Sequence, residues 1–287
     1  MKRFDSVAIV GVGLIGGSIG LALRARKLAD RLIGAGSRPE TLQTALGLGA
    51  ITEIAADVTG AAAEADLVVV CAPVGHIVEQ VRRIAPHCRP GTLITDAGST
   101  KGDIVRQLAE AAANDKTWNR EIHFVGSHPL AGNEKKGPMH ADAELFSGRT
   151  VIITPTASTT QEVRRSLTDF WTSLGAAVIE MPADEHDRAL AATSHLPHLL
   201  AAAIAGATPE RYVSLTAGGW QDTTRIAAGD PSLWRQIMLA NRANVLAVLD
   251  EFTTRLAAWR ACLEAQDAVE LEKLLTEAKR IRDAVGS

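Results

Sequence analysis

An α/β architecture, with a mostly parallel sheet followed by an all-helical segment, is predicted by three observations on this 287-residue sequence. Short β-branched runs alternate with alanine-rich helical stretches as far as Pro182, the pattern of strands buried on both faces. The first run opens directly onto a glycine turn. Beyond Pro182 no further strand pattern occurs, and the segments become long and helical.

Taken in order, Val7 to Val10 is a strand, Gly11-Val12-Gly13-Leu14-Ile15-Gly16 a turn, Ser18 to Arg26 a helix and Leu32-Ile33 a second strand. Further strands are expected at Leu67 to Cys71, Thr92 to Thr95, His123 to Val125, Val151 to Thr154 and Ala177 to Met181, the last ended by Pro182. Domains usually run ~100–200 residues, so two are expected, 1–182 and 183–287. Between Gln236 and Glu264 the residues Val245, Leu249, Phe252, Leu256, Trp259 and Leu263 recur at alternating spacings of four and three, a heptad seam. Leu271, Leu274, Ala278, Ile281 and Val285 repeat it, so the two stretches are expected to pair as an antiparallel hairpin or against another subunit.

Composition narrows the function class. Apolar residues make up 46% and charged residues 22%, ordinary values for a globular chain. Lys and Arg total 30 against 33 Asp and Glu, a net charge of −3 that offers no basic field for nucleic acid or anionic lipid. A small-molecule substrate is expected, with no nucleic-acid or membrane partner. Cys71, Cys88 and Cys262 are odd in number and widely spaced, which fits a reduced, cytoplasmic setting. The N-terminal apolar run is cut by Gly11, so it suits neither a signal peptide nor a spanning helix.

The glycine turn matches the dinucleotide fingerprint. Gly11 makes the tight turn, Gly13 lets backbone approach a pyrophosphate and Gly16 allows close packing of helix on strand. A Rossmann-like dinucleotide-binding domain follows. Leu14 and Ile15 inside the turn, and Ala72 and Pro73 after the Leu67–Cys71 run, are further cofactor-binding candidates. In NAD enzymes an acid usually closes the second strand and binds the ribose. Here the chain reads Gly34-Ala35-Gly36-Ser37-Arg38, and Ser37 with Arg38 suits a 2′-phosphate instead. NADP is therefore preferred, with NAD possible.

Four stretches concentrate polar groups where an α/β enzyme places its chemistry. They are Asp96-Ala97-Gly98-Ser99-Thr100-Lys101; Gly126-Ser127-His128-Pro129-Leu130-Ala131-Gly132-Asn133-Glu134; Ser194-His195-Leu196-Pro197-His198; and Trp220 to Ile226 followed by Gly229-Asp230-Pro231 and Trp234. His128, read as lying on a glycine-flanked turn, is the best candidate base. His76, His87, His123, His140 and His186 are read as structural. His195 and His198 share a helix face three residues apart but lack a carboxylate or cysteine partner, so no metal site is expected.

Together these stretches resemble the prephenate and arogenate dehydrogenase family of tyrosine biosynthesis, over most of the chain and in the family's order. The resemblance implies a second, all-helical dimerisation domain and an active site between the two domains. It implies oxidative decarboxylation of prephenate to 4-hydroxyphenylpyruvate, with His128 as base and Ser99 bridging histidine, substrate hydroxyl and nicotinamide. Arg225 matches the arginine that binds the ring carboxylate, and Asp222 is expected to orient it. His198, Ser194 and Trp234 are implied around the side chain, with His195 in the same motif. Glu134, on the loop from Ala131 to Arg149, is expected to gate the cleft as part of a lid. A second histidine in the HLPH motif accompanies prephenate use in the family, so His198 puts prephenate first.

Alternatives remain open at this level. Arogenate, or both substrates, is the nearest; a β-hydroxyacid dehydrogenase or imine reductase does not explain SHLPH followed by Arg225. A nucleotide-sensing regulator without turnover would be expected to have lost His128, Ser99 or Arg225. The sequence ends at Ser287, so no appended regulatory or mutase domain is expected.

Overall fold

The computed structural model describes residues 3–132 and 135–284. Its strands are β1 (Phe4–Val10), β2 (Ala29–Ala35), β3 (Glu53–Ile54), β4 (Leu67–Val70), β5 (Leu93–Asp96), β6 (His123–Phe124), β7 (Gly126–Pro129), β8 (Thr150–Thr154) and β9 (Ala177–Glu180). The helices among them are α1 (Leu14–Ala25), α2 (Pro39–Gly47), α3 (Val58–Ala63), α4 (Val74–Ile84), α5 (Gly102–Asn114) and α6 (Gln161–Ser173). After β9 come α7 (Ala183–Leu190), α8 (Leu196–Ala207), α9 (Gly218–Thr224), α10 (Pro231–Ala240), α11 (Arg242–Ala265) and α12 (Ala268–Asp283).

Six strands form one parallel sheet in the order β3-β2-β1-β4-β5-β6. That order reverses direction between β1 and β4, and ligands bind at such a switch point beyond the carboxyl ends of the strands. Successive residues of β1 face opposite sides of the sheet. Val7 and Ile9 pack with Ile19, Leu23 and Trp171, while Ala8 and Val10 pack with Val68, Ile77 and Ile84. Both faces are covered, which is why these strands read as unbroken apolar runs.

The mostly parallel sheet is present as expected, and a smaller sheet accompanies it that the sequence did not indicate. A second sheet, β7-β8-β9, pairs β7 antiparallel to β8 and β8 parallel to β9. His128 lies within β7, opposite Ile152, so its segment is a strand and not a turn. Gly126 is there for close approach: a Cβ would sit 2.6 Å from Thr154 Oγ1. The two-residue β3 was not foreseen either.

Contacts divide the chain into two compact units, residues 1–241 and 242–287. In the second, α11 and α12 pack as a hairpin turned at Gln266 (φ +53°) and Asp267, whose carboxylate caps α12 by accepting from Glu270 N at 3.0 Å. The heptad residues are unevenly covered, with Val245 buried and Leu256, Leu263 and Ile281 exposed. In the first unit, the stretch Ala183–Ala207 has the length and hydropathy of a membrane-crossing helix. It also carries His186, Asp187, His195 and His198, all buried, into polar or ring contacts within that unit.

Candidate active site

The nucleotide cradle is built by backbone. Gly11 has φ +93°, and a Cβ on it would lie 2.6 Å from the Cys71 carbonyl oxygen, so the turns after β1 and β4 touch. A Cβ on Gly16 would lie 2.3 Å from the Gly11 oxygen. Beside Gly13, by contrast, a Cβ would meet nothing within 4 Å. Gly13 starts α1 with no side-chain cap and no acid in the first turn, so the N–H groups of Leu14, Ile15 and Gly16 remain for an anion. This open cradle at a bare helix N-terminus fits a dinucleotide pyrophosphate. Ala72 is half-buried and Pro73 exposed at the end of β4. Ser37 and Arg38 follow β2, both exposed, with no ion pair to Arg38 among the described residues.

The loop that leads on from β7 is partly a fixed wall of this cradle. Ser18 Oγ accepts from Asp142 N at 2.9 Å, Arg26 donates to the Ala143 carbonyl at 3.0 Å, and a Cβ on Gly17 would press on Ala141. From Pro138 to Arg149 the expected lid is therefore anchored to α1 and the sheet. Lys136 pairs with Asp230, the residue that caps α10. Glu134, the expected gate, lies outside the described residues.

The base candidate is held at the edge of β5. Thr95 Oγ1 donates to the Val125 carbonyl at 2.7 Å, and Asp96 Oδ1 accepts from Ser127 N at 3.1 Å, so β7 is stitched to the end of the nucleotide-binding sheet. His128 is 9% exposed. Its Nδ1 lies 2.9 Å from His186 Nε2, and His186 Nδ1 lies 2.8 Å from Asp187 Oδ1. The Asp187 carboxylate accepts from Lys101 N at 2.7 Å and Gly102 N at 2.9 Å, capping α5 from another helix. Lys101, fully buried, pairs with Asp96. Ser99 is half-buried on the turn between them, and no hydrogen bond ties it to His128 among the described residues.

The surroundings of His128 favour its neutral ring. Burial pushes its pKa well below the ordinary 6.5, and the neighbouring His186, Lys101 and His195 push it the same way. Burial raises the Asp187 carboxyl, but the bonds from His186, Lys101 and Gly102 outweigh it and leave the pKa below the carboxylate norm. Burial lowers the Lys101 ammonium, opposed by Asp96.

Around the side-chain candidates the helix is irregular. A π-helical turn, Ala191–His195, joins α7 to α8, and Pro197 withholds an N–H from the ladder just after it. His195 is buried there, its Nδ1 3.1 Å from Asn241 Nδ2, and Asn241 also donates to the Asp187 carbonyl at 2.7 Å. Burial takes the His195 pKa down to about 4. His198 stacks on Trp234 with ring centroids 3.5 Å apart and 14° between planes. Its Nδ1 is buried without a hydrogen-bond partner among the described residues, and burial lowers its pKa too. Ser194 is half-buried in the π turn. A 3₁₀ turn, Arg225–Ala228, packs on α8, which brings the Arg225 segment beside the helix of His198.

One expected pairing is absent. Asp222 and Arg225 stand three residues apart across the end of α9, both exposed, with no ion pair between them. Sequence reasoning also missed His186, Asp187 and Asn241; the only available signal was a histidine and an aspartate side by side on a helix that already carried SHLPH.

Residues 19–180 match the family description "prephenate dehydrogenase, nucleotide-binding domain", and residues 182–277 match "prephenate dehydrogenase, dimerization domain". A cyclohexadienyl dehydrogenase of Zymomonas mobilis is 35% identical, covering 99% of this chain and 97% of its own. The solved prephenate dehydrogenase of Aquifex aeolicus, in complex with hydroxyphenyl propionate and NAD+, superposes with a TM-score of 0.89 at 31% identity, over 99% of this chain and 98% of that one. An arogenate dehydrogenase of Synechocystis superposes with a TM-score of 0.81 at 27% identity, over 98% and 99% of the two chains. This chain, with a glycine-turn cradle suited to a nicotinamide dinucleotide and a buried histidine at the end of its parallel sheet, is an oxidoreductase that belongs to the prephenate dehydrogenase family.

Proposed function

We propose that the protein oxidises and decarboxylates prephenate to 4-hydroxyphenylpyruvate, with NADP+ as preferred and NAD+ as alternative oxidant. The observation that carries this reading is His128, buried on a strand that is hydrogen-bonded to the carboxyl end of β5 in the nucleotide-binding sheet, with burial holding its pKa well below the ordinary 6.5. Gly11, Gly13 and Gly16 with the first N–H groups of α1 would hold the pyrophosphate, and Ser37 with Arg38 the adenosine ribose. Ala72 and Pro73 would line the same crevice. When bound, the nicotinamide takes up the hydride.

The protein's own groups do the rest. His128 draws the proton from the ring hydroxyl, which raises electron density on the carbon that loses hydride. Arg225 holds the ring carboxylate until it departs as carbon dioxide, and the electron pair of the broken carbon–carbon bond completes the aromatic ring. The proton drawn by His128 returns to the phenolic oxygen, so no net proton is released. Ser99 aligns the hydroxyl with His128, and Ser194 and His195 line the remaining wall.

Prephenate over arogenate rests on His198. With its hydrogen on the partnerless Nδ1, the His198 ring, backed by Trp234, donates to a keto oxygen, whereas an ammonium would want an acceptor. Homodimerisation through α11 and α12 rests on the match to a dimerization domain and on Leu256, Leu263 and Ile281 being exposed there. A four-way assay tests the function: prephenate or arogenate with NADP+ or NAD+, followed by absorbance of the reduced nicotinamide. Prephenate with NADP+ should give the highest kcat/KM. A preference for arogenate overturns the substrate assignment, a preference for NAD+ the cofactor assignment, and no turnover in any arm favours a nucleotide-sensing role.

A further inference from the structure

The four hydrogen bonds behind His128 have only one self-consistent set of directions if each ring is neutral. Asp187 ends the series, and an ionised carboxylate can only accept. Its two oxygens already take the N–H groups of Lys101 and Gly102, at 2.7 and 2.9 Å, at the start of α5. His186 Nδ1, 2.8 Å from Oδ1, must therefore carry a hydrogen and donate it. A neutral imidazole with its hydrogen on Nδ1 keeps its lone pair on Nε2. The 2.9 Å bond between the two rings is then donated by His128 Nδ1 to His186 Nε2. That leaves the lone pair of His128 on Nε2, where no described residue bonds it.

We infer that His186 and Asp187 are positioning residues that fix His128 in the Nδ1–H tautomer, so that Nε2 is the nitrogen that takes the substrate proton. The inference rests on the reading of His128 as the base. It gives Asp187 the task an aspartate has in a serine–histidine–aspartate triad, orienting an imidazole and fixing its tautomer, here through an interposed second ring. On proton transfer the O–H bond breaks and an Nε2–H bond forms. His128 keeps its Nδ1 hydrogen, and the positive charge it gains faces His186, whose other nitrogen is held by the carboxylate. The alternative, a doubly protonated His186, reverses the inter-ring bond and puts the hydrogen of His128 on Nε2, which would silence the base. Because Asp187 is also the cap of α5, the tautomer is anchored to the turn that carries Ser99 and Lys101.

Nitrogen-15 NMR of histidine-labelled free enzyme at neutral pH reads the tautomer directly, with the His128 signals assigned by their loss in His128→Asn. The expected pattern is a protonated Nδ1 and an unprotonated Nε2; the reverse overturns the inference. Kinetics supply the second arm. His186→Phe keeps an aromatic ring but cannot accept a bond, and should lower kcat by ~10²-fold or more with KM within about threefold, whereas His186→Gln, whose amide oxygen can accept, should recover most of that loss. Wild-type kcat in His186→Phe, or equal losses in both variants, overturns the positioning role. If His128→Asn itself retains full activity, the base reading fails instead, so the two failures are told apart.

Discussion

His128 and Arg225 have opposite surroundings. His128 is 9% exposed, bonded at Nδ1 to a ring that is itself bonded to a carboxylate, with burial pushing its pKa well below the ordinary 6.5. Arg225 stands exposed at the start of a 3₁₀ turn, without an ion pair among the described residues and without the Asp222 contact that its sequence neighbourhood suggested. The two tasks proposed for them, proton acceptor and carboxylate clamp, call for these two environments. A proton acceptor must hold one tautomer before substrate arrives, and only a packed, hydrogen-bonded setting fixes it. A carboxylate-binding guanidinium gains most when no internal anion has to be displaced first, because each ion pair broken on binding offsets the one that forms.

Removing the proposed base should give the largest effect. His128→Asn is expected to lower kcat by ~10²–10⁴-fold while cofactor affinity stays nearly intact, the usual worth of a positioned proton acceptor. Steady-state kinetics beside a cofactor titration check it, and full retained activity would erase the contrast drawn above. Arg225→Gln should act on the other half. A charge-assisted hydrogen bond contributes about 1.5–3 kcal/mol, so KM for the substrate should rise roughly 10- to 100-fold with a smaller change in kcat. A variant with unchanged KM would mean that Arg225 is a solvated surface cation.

The difference between the regions also explains what could be read from sequence. The glycine fingerprint was legible because its constraints are local: Gly11 needs a positive φ and Gly16 cannot carry a Cβ against the Gly11 oxygen, whatever the rest of the chain does. The strands at β1, β4, β5 and β8 were legible because burial on both faces leaves β-branched runs. The β7 strand was not, since Gly126 and Pro129 are weak strand formers and only pairing with Thr150–Thr154 makes the segment extended. His186 reads as one more structural histidine until β7 is laid against α7. Lys101, which looks like a surface cation at a helix start, is buried because Asp96 lies within reach at the end of β5. Where a role depends on which elements meet, the local pattern carries no trace of it.

The smallest expected effect is one of pH, and it bears on the buried half alone. As the proposed base His128 acts in its neutral form, so kcat/KM should fall only as pH drops through its pKa in the free enzyme. That pKa is lowered from 6.5 by burial first, and then by the positive or potentially positive groups facing it, His186 and His195 from the helical segment and Lys101 from the turn before α5. The Asp187 carboxylate opposes them only across the intervening ring. The sign is therefore that neutral His128 persists below the range where an exposed histidine gains its proton, and kcat/KM for the preferred substrate should stay flat between about pH 6 and 7.5. Initial rates across that range, with enzyme integrity verified at each pH, provide the measurement. An acid limb centred at 6.5 or above would place the base in water, next to Arg225 in character, and would remove the distinction between a buried proton acceptor and an exposed anion clamp.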